Sequence, residues 1–270
     1  MSDISLKSYT KSRPYIDESA ISFLENLKFE WIQLHSLEPN VQDLNKLNNY
    51  FKHNSQIYLR GIKTEWLKYL PDVQMLNLSE LIPENIELIK DRKIVGLHFE
   101  YEPNNKTDFS SVLYFQETLE ELHITGNYNN IEETVRRLTN LRKLAMTSVH
   151  LNNLAFMEKL NISDFYYYGS RINDWSDLAN VSTIRKFILK ANTNLENLDF
   201  ITHWTELEEL ELWHCSGLQH FPDINHLKKL KKVLLYNCNK LSNIEELKKL
   251  RNVYIRVNGK VMQNRYYEAN

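Results

Sequence analysis

Residues 207–218, LEELELWHCSGL, decide the fold. Leu207, Leu210, Leu212, Cys215 and Leu218 are spaced as L-x-x-L-x-L-x-x-C-x-x-L. Successive side chains of a strand point to opposite faces, so Leu210 and Leu212 share one face and are buried together. The chain then turns away. At Cys215 the turn enters the interior, which calls for a small side chain that bonds neighbouring backbone. Glu211 and Trp213, the letters between and after the leucines, point the other way.

The frame recurs along the chain. It starts at Phe29, Asn54, Val73, Ile94, Leu119, Leu141, Ile162, Ile184, Leu207, Leu230 and Leu250, a period of about 22 residues. The inward pairs are Ile32/Leu34, Ile57/Leu59, Leu76/Leu78, Leu97/Phe99, Leu122/Ile124, Leu144/Met146, Phe165/Tyr167, Phe187/Leu189, Leu210/Leu212, Val233/Leu235 and Val253/Ile255. The turn-closing position holds Asn127, Ser170, Asn192, Cys215, Cys238 and Asn258, but Leu37, Ile62, Leu81, Glu102 and Val149 elsewhere. A polar ladder is therefore expected in the C-terminal half. Cys215 and Cys238 are expected to be neighbouring structural thiols within it.

The connecting halves have their own period. Ile172, Trp175, Leu178 and Val181 lie three apart, as do Leu241, Ile244, Leu247 and Leu250. Such spacing suits 3-10 or short helical turns on the convex side. Residues 40–51 are the exception, with Val41, Leu44, Leu47 and Phe51 on one helical face, and 82–91 reads as a second helix. Ile21, Phe23, Leu24 and Leu27 predict a short capping helix before the first repeat. The expected organisation is a lead-in and cap over 1–28, a solenoid over 29–258, and a tail or cap over 259–270. Edge strands near Phe29 and Val253 are the places for self-pairing, the second covered by the tail QNRYYEAN.

The spacing resembles the short-repeat class of leucine-rich repeat proteins, seen in bacterial internalins and in leucine-rich phosphatase regulatory subunits. The resemblance spans roughly residues 29–258. It implies an α/β solenoid: a horseshoe with a parallel concave β-sheet of about 10–11 short strands and a convex side of 3-10 or short helices. It also implies a protein-binding role. The Tyr-, Asn- and Lys-rich, Gly-poor text points to a bacterial, intracellular member.

Composition agrees with a folded chain. Of 270 residues, 42% are hydrophobic and 25% charged, enough apolar content for a sizeable core. Net charge is −2, which argues against nucleic acid or an anionic membrane as partner. Two cysteines make no disulfide framework. The polar start MSDISLKSYTKSRPYIDE lacks the apolar stretch of a secretory signal, and no apolar run is long enough to span a bilayer, so a cytoplasmic location is expected.

Catalytic motifs are missing from the text. Nine histidines occur without H-E-x-x-H, C-x-x-C, G-x-S-x-G or a P-loop, so neither catalysis, cofactor nor metal is expected. A His214/Cys215 dyad fails because the frame sends the two side chains apart. His98 and His123 occupy equivalent positions of consecutive frames, beside Glu100 and Glu121, and mark the place where metal binding or pH response would arise.

The concave positions carry the functional reading. Those between each inward pair are Gln33, Tyr58, Asn77, His98, His123, Ala145, Tyr166, Ile188, Glu211, Leu234 and Tyr254. The following positions are His35, Arg60, Ser79, Glu100, Thr125, Thr147, Tyr168, Lys190, Trp213, Tyr236 and Arg256. The partner-binding patch is assigned to Tyr166, Tyr168, Ile188, Lys190, Glu211, Trp213, Leu234, Tyr236, Tyr254 and Arg256, with Lys186, Lys232 and Glu209 at its rim. Large outward aromatics with a polar rim mark interaction sites. The expected function is a non-enzymatic module that captures a protein partner there, as an inhibitor, immunity protein or adaptor. A regulatory subunit of an enzyme such as a phosphatase is the first alternative, and an enzyme with a site near His98 and His123 the second.

Overall fold

The computed structural model describes residues 31–34, 39–78, 83–100, 107–169 and 171–264. The predicted capping helix and lead-in lie outside these residues, as do His35, Leu37, Ser79, Leu81, Glu102, Ser170 and residues 265–270.

Twelve strands form one sheet in chain order. They are β1 (Trp31–Gln33), β2 (Tyr58–Arg60), β3 (Met75–Leu78), β4 (Gly96–Phe99), β5 (Glu121–Thr125), β6 (Lys143–Thr147), β7 (Asp164–Tyr168), β8 (Lys186–Lys190), β9 (Glu209–Trp213), β10 (Lys232–Tyr236), β11 (Tyr254–Val257) and β12 (Lys260–Asn264). The pairs from β1 to β11 are parallel, and β12 returns antiparallel to β11. Each parallel step requires a crossover. Here the crossovers are short: 3-10 segments at Thr64–Tyr69, Phe109–Phe115, Ala155–Met157, Ser176–Asn180, Asp199–His203 and Ile244–Lys249, and three α-helices. The open sheet backed by 3-10 turns is the predicted horseshoe.

The helix α1 (Val41–His53) forms where the sequence places it. Asn40 caps it, accepting from the Asp43 amide at 2.9 Å, while the Asp43 carboxylate accepts from the Asn40 amide at 3.2 Å. Leu44, Leu47 and Phe51 are buried beneath it. The second, α2 (Pro83–Glu87), is shorter than the predicted 82–91, and α3 (Ile131–Arg137) is an addition to the reading.

The inward pairs build one continuous core. Leu210 and Leu212 are fully buried, stacked between Phe187/Leu189 and Val233/Leu235. Large aromatics fill the space between strand and crossover, where Phe187, Trp175, Phe200 and Trp204 pack edge to face or stacked. Their polar ends are satisfied: the Trp204 indole donates to the Leu178 carbonyl at 2.8 Å and the Tyr167 hydroxyl to the Val149 carbonyl at 2.8 Å.

The turn leaving each central strand is left-handed. Gly126, Ser148, Gly169, Ala191, His214 and Asn237 all have positive φ at equivalent steps. The next residue is buried where it is Val149, Asn192, Cys215 or Cys238, whereas Asn127, expected in the ladder, stays half-exposed and accepts from the His150 amide at 2.6 Å. Asn192 is fully buried, its side chain accepting from the Asn194 and Leu195 amides and donating to the Ile172 carbonyl. Cys215 and Cys238 fill the same place as buried free thiols, each directed at a strand carbonyl of the preceding repeat. Two residues on, Gly217 lies where a Cβ would come 2.2 Å from the Thr193 carbonyl oxygen.

Two predicted frames are out of register. Ile32 stands beside Leu59, and Leu59 beside Leu76, so the second frame sits two residues later than expected. Ile255 stands beside Val233 and Val257 beside Leu235, a shift of two residues in the last frame as well. Asn258 consequently leaves the interior ladder. It is exposed and, with Gly259, has positive φ in the turn that pairs Val257 with Lys260. This Asn-Gly hairpin adds β12, which covers the edge of β11 with residues 260–264.

Candidate functional site

Three columns of side chains cross the sheet on the face opposite the core. The first runs Met75, Gly96, Glu121, Lys143, Asp164, Lys186, Glu209, Lys232 and Tyr254. From Glu121 to Lys232 its charges alternate in sign, and neighbours pair: Lys143 with Glu121 at 3.0 Å, Lys186 with Glu209 at 3.2 Å, and Lys232 with Glu209 at 3.5 Å. The Glu209 contacts are electrostatic only, since Glu209 Oε2 has no hydrogen bond of good geometry. Lys186 and Lys232, read from sequence as part of the rim, are thus each paired with an acid.

The middle column runs Asn77, His98, His123, Ala145, Tyr166, Ile188, Glu211, Leu234 and Arg256. Arg256 thus belongs to the middle column and Tyr254 to the first, a correction to both assignments that follows from the shifted last frame. Tyr58 and Arg60 move in the same way at the other end.

The third column, Thr125, Thr147, Tyr168, Lys190, Trp213 and Tyr236, holds the aromatic strip. The Lys190 ammonium lies 5.0 Å from the Tyr168 ring centroid and 5.1 Å from that of Trp213. Trp213 and Tyr236 contact each other with centroids 5.3 Å apart. Tyr236 is 40% exposed. Beneath them Glu211 accepts from Lys232 at 2.7 Å and from the Trp213 indole at 3.3 Å.

The structure brings Tyr168, Lys190, Glu211, Trp213 and Tyr236 together. Tyr166 lies one column over with Lys186 above its ring, and Leu234 flanks Glu211. Ile188 and Glu211 face outward but are only 8% exposed, roofed by longer neighbours, so they form the floor of the patch. Tyr254 and Arg256 stand at its far edge, the Arg256 guanidinium donating to the Gly259 carbonyl at 3.1 Å.

A second group lies towards the N-terminal half. The hydroxyl of Tyr58 reaches Glu121 at 3.4 Å across Gly96, and Arg60 pairs with Glu100 while its guanidinium lies over Trp31. His98 and His123 are stacked. Their nitrogens face Asn77 and Thr147 respectively, at 2.9 and 3.0 Å. Parallel stacking keeps the two rings from converging on one ion. Among the described residues, no group of three or more His, Cys, Asp or Glu could hold a metal. Cys215 is buried and His214 exposed, so the two diverge as expected.

No family model and no curated protein matches the chain. Solved structures do. Internalin C2 from Listeria monocytogenes is similar with a TM-score of 0.50 and 18% identity, over 73% of this chain and 84% of that one. The TLR13 chain of a TLR13–ssRNA13 complex is similar with a TM-score of 0.55 and 15% identity, over 84% of this chain and 35% of that one. A leucine-rich repeat protein of Leptospira interrogans has a TM-score of 0.48 and 17% identity, over 77% of this chain and 62% of that one. At these identities the likeness to internalin C2 and to the TLR13 chain concerns the fold alone, and it agrees with the repeat frame and the strand order. The chain has the leucine-rich repeat fold.

Proposed function

We propose that the chain is a non-enzymatic binding module that captures a protein partner on the C-terminal concave surface, as an inhibitor, immunity protein or adaptor, in the cytoplasm. The observation that carries this reading is the Trp213–Tyr236 pair. Both rings project from the face opposite the core and contact each other at 5.3 Å. The fold does not need them there, because its apolar contacts lie on the other side of the sheet. Tyr and Trp are the residues most often found at binding hot spots. Their neighbours are rigidly placed: strands hold the backbone, Glu211 anchors the indole, and Lys190 lies against its face. Such a surface loses little freedom on binding. No helix among the described residues is long and apolar enough to cross a membrane.

The test is co-purification with a tagged chain from its source cell, followed by affinity measurement with the partner identified. Trp213→Ala/Tyr236→Ala should weaken capture by about 2 kcal/mol, roughly 30-fold, with an unchanged melting temperature. Unchanged affinity in that double variant refutes the site.

A further inference from the structure

We infer, resting on the binding role just proposed, that the concave strip recognises a protein segment presenting a carboxylate to Lys190 between apolar side chains. Every other lysine on the central sheet face already has an acid: Lys143 has Glu121, Lys186 has Glu209, and Lys232 has Glu209 and Glu211. Lys190 has none within 4 Å among the described residues. Its ammonium is held instead between Tyr168 and Trp213. Glu211, on the neighbouring strand, is occupied by Lys232 and the Trp213 indole. A half-buried ammonium walled by two rings and lacking a counter-charge matches an incoming carboxylate, which gains a charge-assisted hydrogen bond there. Arg256 is a second cation without a carboxylate among the described residues, at the far edge of the same patch.

The charge pattern favours an acidic protein segment over a nucleic acid. A single strand of RNA needs a groove of cations that follows its backbone, along with stacking faces. Here Asp164, Glu209 and Glu211 interrupt the lysines. One carboxylate fits the one cradle, whereas a run of phosphates meets alternating charge.

A random dodecapeptide display library panned on the immobilised chain tests this, with Lys190→Gln, Lys190→Glu and Trp213→Ala panned in parallel after their melting curves are matched to wild type. Expected are peptides enriched in Asp or Glu flanked by apolar residues. Their binding should fall tenfold or more in Lys190→Gln, and Lys190→Glu should select Lys or Arg at the same place. Enriched peptides that need Trp213 but ignore Lys190 overturn the carboxylate inference and leave the binding role standing. The absence of any peptide that needs Trp213 overturns both. Binding of a labelled twelve-nucleotide uridine RNA that is lost in Lys190→Gln, with no acidic peptide enriched, also overturns it in favour of nucleic acid.

Discussion

The imidazole of His123 lies flat against that of His98, with ring centroids 3.8 Å apart and planes 16° from parallel. Asn77, Arg60 and Lys143 surround the pair, and Glu100 and Glu121 hold the two cations. Burial above all, then Arg60 and Lys143, depresses His98 to about 4; burial, then His98 and Lys143, depresses His123 to about 3. Both rings are therefore neutral in the folded chain at pH 7. An unfolded histidine titrates near 6.5, so between that pH and about 4 the unfolded state binds the extra protons. The stability this pair contributes is full above pH 6.5 and is lost as pH falls towards 4. The unfolding free energy from urea titrations should stay level between pH 7.5 and 6.5, then decline below that by up to about 1.4 kcal/mol per pH unit for each histidine that titrates only when unfolded. The His98→Phe/His123→Phe variant keeps a stack without the protons and should show a shallower decline. Equal slopes would show that the histidines keep ordinary pKa values.

Gly96 and Gly217 should respond unequally to one added methyl group. A Cβ at Gly96 would lie 2.6 Å from the Tyr58 hydroxyl and 2.8 Å from Met75 Cε, both far ends of side chains that can shift. At Gly217 it would lie 2.2 Å from the Thr193 carbonyl oxygen and 2.9 Å from that of Leu195, which are main chain. Gly96→Ala should cost about 1 kcal/mol, while Gly217→Ala should cost about 3 kcal/mol or more. Chemical denaturation of the two variants gives the order, and the reverse order would contradict the packing described.

The repeat period made the core legible, but not the register at the two ends. The reason is the strand itself. Moving a pattern by one residue sends every side chain to the wrong face, whereas moving it by two keeps every face correct. Ile57 and Leu59, like Val253, Ile255 and Val257, alternate over enough residues to permit either reading. Hydrogen bonding to the neighbouring strand decides it. The Asn258–Gly259 hairpin did carry a local signal, because a two-residue type I′ turn favours Asn-Gly; its place at the end of a frame made Asn258 look like a ladder residue. The outward aromatics of the patch were legible from alternation alone. Which lysine lacks an acid was not, since that depends on side chains one repeat away, as with Lys232 and Glu211.

Ala191 is a place where the turn out of the strand can be improved. Its φ is +56°, at the step where Gly126 and Gly169 also have positive φ. A residue with a Cβ loses roughly 1–2 kcal/mol in this region, partly offset by the greater freedom that glycine gives up on folding. Ala191→Gly should stabilise the chain by about 0.5–1 kcal/mol. Gly169→Ala should do the opposite by a similar amount, because its Cβ would meet Ser148 Oγ at an ordinary 3.4 Å and only the backbone is strained. Paired thermal melts read both signs, and a destabilising Ala191→Gly would refute the argument.

Glu211 should matter to stability although it faces away from the core. It is 8% exposed and accepts from Lys232 and the Trp213 indole. Removing this covered acceptor leaves the Trp213 indole without its partner and Lys232 with Glu209 alone, which costs about 1–3 kcal/mol. Glu245 pairs with Lys248 at 2.6 Å, but both side chains are more than half exposed. Exposed pairs of this kind contribute under about 0.5 kcal/mol. Glu211→Ala should therefore lower the urea midpoint clearly and Glu245→Ala hardly at all. The same Glu211 variant frees the Trp213 indole to rotate away from Lys190, so it should weaken partner binding even though Glu211 is too covered to reach the partner. Loss of stability with full binding would show that the Trp213 ring is held by its neighbours Lys190 and Tyr236 rather than by the carboxylate beneath it.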